Sequence, residues 1–223
     1  MDRKKWAKKF FLSGIFFLLS FSFLANNKTV EAEFVPPEVE TVILPEYNEP
    51  FKPVFTMQPT PVSVVNVLNF IEGSTSRQAN QLLKYVYPNY SDAQLKSVTA
   101  NLEQSNKFLN NQGYKTKISA GQLNLTLLKE ELSNRRPVIA YLSANGHYWI
   151  EQESSIIIYG YQKITFPGRP SQVLYMYRSV IHGNGAIYSG GENAIPLLLK
   201  ESQTDPSANI TFKWVSTLYG FNK

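Results

Sequence analysis

Arg136-Pro137-Val138-Ile139-Ala140-Tyr141-Leu142 is the stretch at which this chain changes its grammar. Before it, apolar residues recur at helical spacing. After it, β-branched and aromatic residues run in short stretches between Gly, Pro and Asn turns. On the amino-terminal side, Ala79, Leu82, Leu83 and Val86 form a helical stripe in a segment opening at Ser74, with Thr75 and Gln78 spaced as a capping box. A second helix is expected from Ser91, paired with Gln94, carrying Leu95, Val98, Leu102 and Leu109 and stopping at Gly113. Ser119 and Gln122 open a third, running to about Ser133. On the carboxyl side, strands are expected over Pro137–Leu142, Tyr148–Ile150, Ser155–Ile164, Val173–Ile181 and Ile210–Leu218. Only Asn193–Ser202 interrupts them as a short helix, with Pro196 near its first turn. Helices first and an antiparallel sheet afterwards define an α+β fold.

The 223 residues, 43% of them hydrophobic, suffice for one substantial core and not for two large domains. Arg3, Lys4, Lys5, Lys8 and Lys9 precede an apolar stretch from Phe10 to Leu24, and Val30 and Ala32 supply a small-residue cleavage pattern. Residues 1–32 therefore read as a signal peptide cut after Ala32, since the apolar run falls short of the ~20 residues of a membrane span. Only an uncut leader would attach the chain to a membrane. Glu33 to Pro61 holds seven of the 13 prolines, too closely spaced for a helix or a central strand. This 33–61 stretch is expected to be an extended arm serving as linker, propeptide remnant or strap, with the globular domain spanning 62–223.

The formal charge of +5 belongs mostly to the leader. Beyond Ala32 the chain carries 16 Lys/Arg against 15 Asp/Glu, which removes the electrostatic case for a nucleic-acid partner. The absence of cysteine excludes disulfides, thiolate metal sites and a lipoprotein anchor. A protein released from, or retained at the surface of, a Gram-positive cell is the expectation. His147 and His182 are the only histidines, and neither has carboxylates nearby at metal-ligand spacing. Gly183-Asn184-Gly185 and Gly190-Gly191-Glu192 do not stand between a strand and a helix, as a phosphate loop would. No cofactor is expected. The 13 tyrosines suit either the faces of a twisted sheet or a groove for peptide or glycan.

Two segments carry a family likeness. Asn80-Gln81-Leu82-Leu83-Lys84-Tyr85 resembles the end of the nucleophile helix of bacterial papain-like cysteine peptidases, of the streptopain, staphopain and double-glycine-leader peptidase branches. Arg136-Pro137-Val138-Ile139 resembles the strand before their histidine. The likeness spans roughly Phe70 to Ser179 and implies a papain-like fold, a helical lobe followed by a twisted antiparallel sheet. It places Ser74 where the family has its cysteine. The histidine position falls on His147 if Gly146-His147 is matched, or on Ser154 if Ile156-Ile157-Ile158-Tyr159-Gly160-Tyr161 is matched to the strand closing in Val-Gly-Tyr. The third group would fall at Arg178 or Ser179, with Asn184 a later candidate, and the family's oxyanion glutamine is missing from Leu68 to Gly73, where Asn69 is the only amide.

A cysteine at a helix amino terminus is held as thiolate by the dipole and free N–H groups, whereas a serine needs a base, an orienting group and an oxyanion hole. The likeness therefore implies a secreted, catalytically inactive relative, with Ser74, Arg77, His147 and Ser154 bordering a cleft that binds a peptide or protein partner. The plainer reading of Ser74 or Thr75 is a helix cap. The alternatives are an active hydrolase using Ser74 and His147, and a surface-adhesion or structural module.

Overall fold

The segments after Arg136 fold into a single antiparallel sheet because their alternation leaves every second side chain for a shared core. The computed structural model describes residues 35–48, 58–145, 154–180, 183–188, 194–195 and 211–223. Strands β3 (Val138–Asn145), β4 (Ser154–Thr165), β5 (Gln172–Ser179) and β6 (Gly183–Tyr188) follow one another as a meander. β8 (Thr211–Tyr219) returns beside β3 and carries β2 (Lys117–Ala120) on its far side. β7 (Ala194–Ile195) pairs with β8, in the region where a short helix is expected from sequence. The leader, His147, His182 and the expected strand Tyr148–Ile150 lie outside the described residues.

Five helices are present among the described residues: α1 (Pro59–Glu72), α2 (Ala79–Val86), α3 (Asp92–Leu95), α4 (Leu102–Asn111) and α5 (Leu125–Ser133). The arrangement is α+β, with helices and antiparallel sheet sharing one core.

The 33–61 stretch joins the domain at both ends. β1 (Glu38–Ile43) pairs antiparallel with the second half of β4, from Glu38 opposite Thr165 to Ile43 opposite Gly160. Leu44 and Tyr47 then enter the core, and Tyr47 packs edge-on against Phe70 and stacks on Tyr159. Residues 38–47 thus form a strap along the sheet. Proline count alone misses this because an edge strand tolerates flanking prolines that a central one rejects.

Pro59 and Pro61 open α1, where the first-turn N–H groups lack intrahelical partners anyway. Val64, Val67 and Leu68 then bury completely against the sheet and the other helices. Each such side chain contributes roughly 1.5–3 kcal/mol by leaving water. α1 packs mainly on β4, where the Ser155 hydroxyl donates to Ser63 Oγ at 3.0 Å, joining two fully buried polar groups.

The other helices begin where capping chemistry is strongest. The segment expected to start at Ser74 becomes helical only at Ala79, with Gln78 and Gln81 forming the reciprocal box in place of Thr75 and Gln78. The expected second helix divides into α3 and α4, because Asn101 and Gln104 form a box of their own after that of Ser91 and Gln94. Ser119 does not open a helix. It lies in β2 opposite Thr217, and Asn124 caps α5 by accepting from Leu127 N at 2.9 Å. The ladder offered by β8 takes the place of the local cap.

Candidate functional site

Ser74 stands at the carboxyl end of a helix. α1 closes with Gly73 in the left-handed conformation, φ 61°, and the Ser74 N–H donates to Asn69 O at 2.9 Å. The Ser74 hydroxyl shares a 2.8 Å hydrogen bond with that of Ser76 and accepts the Ser76 N–H at 3.0 Å. The nearest helix dipole therefore presents its negative end, which opposes an alkoxide or thiolate. A nucleophile needs the reverse polarity.

Residues 74–77 are held by α1. Asn69 Oδ1 accepts the Arg77 N–H at 3.0 Å, and Asn69 Nδ2 donates to Arg77 O at 3.2 Å. This two-way clamp uses the amide that was the only candidate for an oxyanion donor. Arg77 closes the loop from the other side, its Nε and Nη2 each donating to Glu72 at 2.8 Å in a fork-to-fork pair. The Tyr114 hydroxyl donates to Glu72 Oε1 at 2.7 Å. The Arg77 hydrogen bonds, with the tyrosine adding to them, bring the Glu72 carboxyl down to about 2 from its ordinary 4.5. Desolvation and the nearby carboxylate raise the Tyr114 phenol well above its usual range.

Ser154 opens β4 with its Cα opposite Leu142. Its neighbour Ser155 contacts Ser63 near the start of α1, whereas Ser74 follows the end of the same helix. The nine-residue span from Ser63 to Glu72 is on the order of 13 Å at 1.5 Å per residue. Ser74 and Arg77 thus share one site and Ser154 belongs to the opposite end of α1. The continuous helix between them, which proline content concealed, is the reason.

Of the positions considered for a third catalytic group, Arg178 serves the strap. The Arg178 guanidinium lies 4.7 Å from the Tyr47 ring centroid and donates to Tyr47 O, and Ser179 is buried. Asn184 is in β6, opposite Arg178.

At the amino end of α1, Gln58 donates to Leu95 O and to Val98 O, tying the helix start to the α3 turn. Pro59 and Pro61 carry no N–H, and Thr60 is 2% exposed. This turn lacks an accessible nucleophile and two of the donors that a helix start would offer an anion. The start and stop of α1 were readable in principle from Pro59, Pro61 and Gly73, had the proline cluster been read as a helix opening. The Glu72–Arg77–Tyr114 network carries no such signal, because Tyr114 is distant in sequence.

Among the described residues there is no group of three or more His, Cys, Asp or Glu arranged to hold a metal ion, and no helix long and apolar enough to cross a membrane. No protein-family model matches the chain, and no curated protein matches it either.

Proposed function

We propose that this chain is a secreted, catalytically inactive papain-like domain that binds a peptide or protein partner. The observation that carries the reading is α1, a helix laid on an antiparallel sheet, with Ser63 hydrogen-bonded to Ser155 of β4. In a papain-like peptidase the nucleophile opens such a helix and the histidine strand faces it. Here the opening turn is Gln58-Pro59-Thr60-Pro61, and the facing strand starts at Ser154.

The chemistry required there is missing on every count. The chain has no thiol, the two prolines have no N–H to offer an oxyanion, and the threonine is buried. The reading is therefore one of binding without cleavage. The basic, apolar leader supports export, with Glu33 as the first residue of the exported form.

The test takes the full chain recovered from its export medium. Mass spectrometry of a peptide mixture incubated with it, and labelling by a serine-directed phosphonate, are both expected to show no reaction. Turnover or labelling lost in Ser74→Ala and in His147→Ala overturns the proposal. A photo-cross-linking residue at Gln58 is expected to capture peptides from the same mixture. The same residue at Lys117, on β2, is not.

A further inference from the structure

The two helices α1 and α5 stop in the same way, with one difference. At α1 the Gly73 N–H donates to Phe70 O and the Ser74 N–H to Asn69 O. At α5 the Arg135 N–H donates to Leu132 O and the Arg136 N–H to Glu131 O, both at 2.9 Å. This paired closure places one residue in the left-handed region, where glycine fits without a β-carbon clash. α1 uses Gly73 there; α5 uses Arg135, φ 57°, the one non-glycine residue with positive φ among the described residues. A long side chain kept where glycine would be unstrained points to a role for that side chain.

Both ends border one open groove of about 730 Å³, whose lining includes Phe70, Glu72, Gly73, Tyr114, Arg135 and Lys223. That volume suits a small ligand or a short peptide end. Among the groove's charged side chains, the spare hydrogen-bonding capacity lies with donors. Glu72 already accepts from Arg77 and Tyr114, and Arg136 is committed to the buried Glu131 through two bonds. Arg135 and Lys223 have side chains 66% and 60% exposed, and each meets one carboxylate, Glu46 at 2.7 Å and Glu72 at 3.5 Å. Five guanidinium and three ammonium N–H groups leave both with donors to spare. Each cation also lies over an aromatic wall, Arg135 at 5.4 Å from the Phe70 centroid and Lys223 at 4.9 Å from that of Tyr114.

The charge of the ligand follows from the two exposed cations. α1 and α5 both direct the negative ends of their dipoles at the groove, which opposes any anion and a dianion such as phosphate most, so the favourable charge comes from Arg135 and Lys223 alone. The planar fork of Arg135 matches a carboxylate. Phe70, half-buried on the groove wall, offers an apolar face beside it. We propose that this groove binds the carboxylate of a peptide through Arg135 and Lys223, with the adjoining apolar side chain against Phe70. The inference does not depend on the peptidase likeness, since the groove lies at the other end of α1.

The test is an NMR titration of the ¹⁵N-labelled full chain. Its probes are an acetylated Ala-Ala-Leu-Phe peptide with a free terminal carboxylate, the same peptide as its amide, and an acetylated Ala-Glu-Phe-Ala amide. Amide resonances of Gly73, Asn134, Arg135 and Asn222 are expected to shift with at least one of the two carboxylate peptides and not with the carboxylate-free amide. Which of the two acts tells whether the carboxylate is terminal or on a side chain. Arg135→Gly keeps the left-handed backbone unstrained, so the fold survives while Kd rises about tenfold or more, the worth of a charge-assisted hydrogen bond. Lys223→Gln weakens the same peptide independently. No shift with either carboxylate peptide, a Kd unchanged in Arg135→Gly, or inorganic phosphate competing at equal affinity each overturns the proposal.

Discussion

Gly160 passes so close beneath Val42 that a β-carbon on it would stand 2.9 Å from the Val42 carbonyl oxygen. The same atom would come within 3.1 Å of the Ile43 side chain and 3.2 Å of the Ile43 Cα. The register of β4 against β5 also shifts between Ile158 and Gly160. A strand bent at a glycine therefore admits the strap, which continues the line of β3 along the same side of β4.

Gly160→Ala is accordingly expected to destabilise the domain by about 1–3 kcal/mol, the usual cost of overpacking against an unyielding neighbour. Hydrogen exchange will locate the effect: the amides of Val39–Ile43 lose protection first, while those of Val138–Leu142 keep theirs. Uniform loss across the sheet would mean that the glycine serves β4 itself.

Tyr47→Ala removes a ring that is 3% exposed and contacts both Phe70 and Tyr159. The expected loss is about 3–5 kcal/mol, in the range for truncating a buried aromatic. A linker or propeptide remnant would lose almost nothing, so denaturant unfolding of this one variant separates a strap from a tether.

Acid titration reads the Glu72 network. Its carboxyl is lowered in the folded state to about 2 from 4.5, chiefly by the Arg77 hydrogen bonds. A depressed carboxyl contributes stability that is fully present above the unfolded value and is lost as pH falls through the folded one. The contribution, on the order of 2–3 kcal/mol, should fade between about pH 4.5 and pH 2. Glu72→Gln is expected to flatten that part of the pH–stability curve, measured as the denaturation midpoint at each pH.

Ser74→Cys makes a single-thiol protein, because the chain has no cysteine of its own. Standing after the carboxyl end of α1, the new thiol is expected to titrate at or above the ordinary value of about 8.5. The pH dependence of its alkylation by iodoacetamide measures this directly. A value well below the ordinary one would return Ser74 to the place of a nucleophile.

The α+β class was readable because hydrophobic period is a local property: the switch at Arg136 from 3.6 to 2 needs no knowledge of neighbours. Ser91 with Gln94 was readable for the same reason, since both groups of that cap lie within one turn. Ser119 failed as a helix start because β8, about a hundred residues later in the chain, offers it a ladder. The site was less legible than the fold. Ser74 and Arg77 are neighbours in both sequence and space, but Ser74 and Ser154 are separated by the helix that the proline-rich stretch concealed.

Composition by itself determined that no thiol chemistry is available and that the charge beyond Ala32 is nearly balanced, since neither depends on conformation. Only the tertiary structure decided that Glu38–Ile43 is a strand, that Asn69 clamps a loop, and that Glu72, Arg77 and Tyr114 act together. Those outcomes are set by pairings between distant segments, where the free energy of a shared core and a completed ladder outweighs local preference.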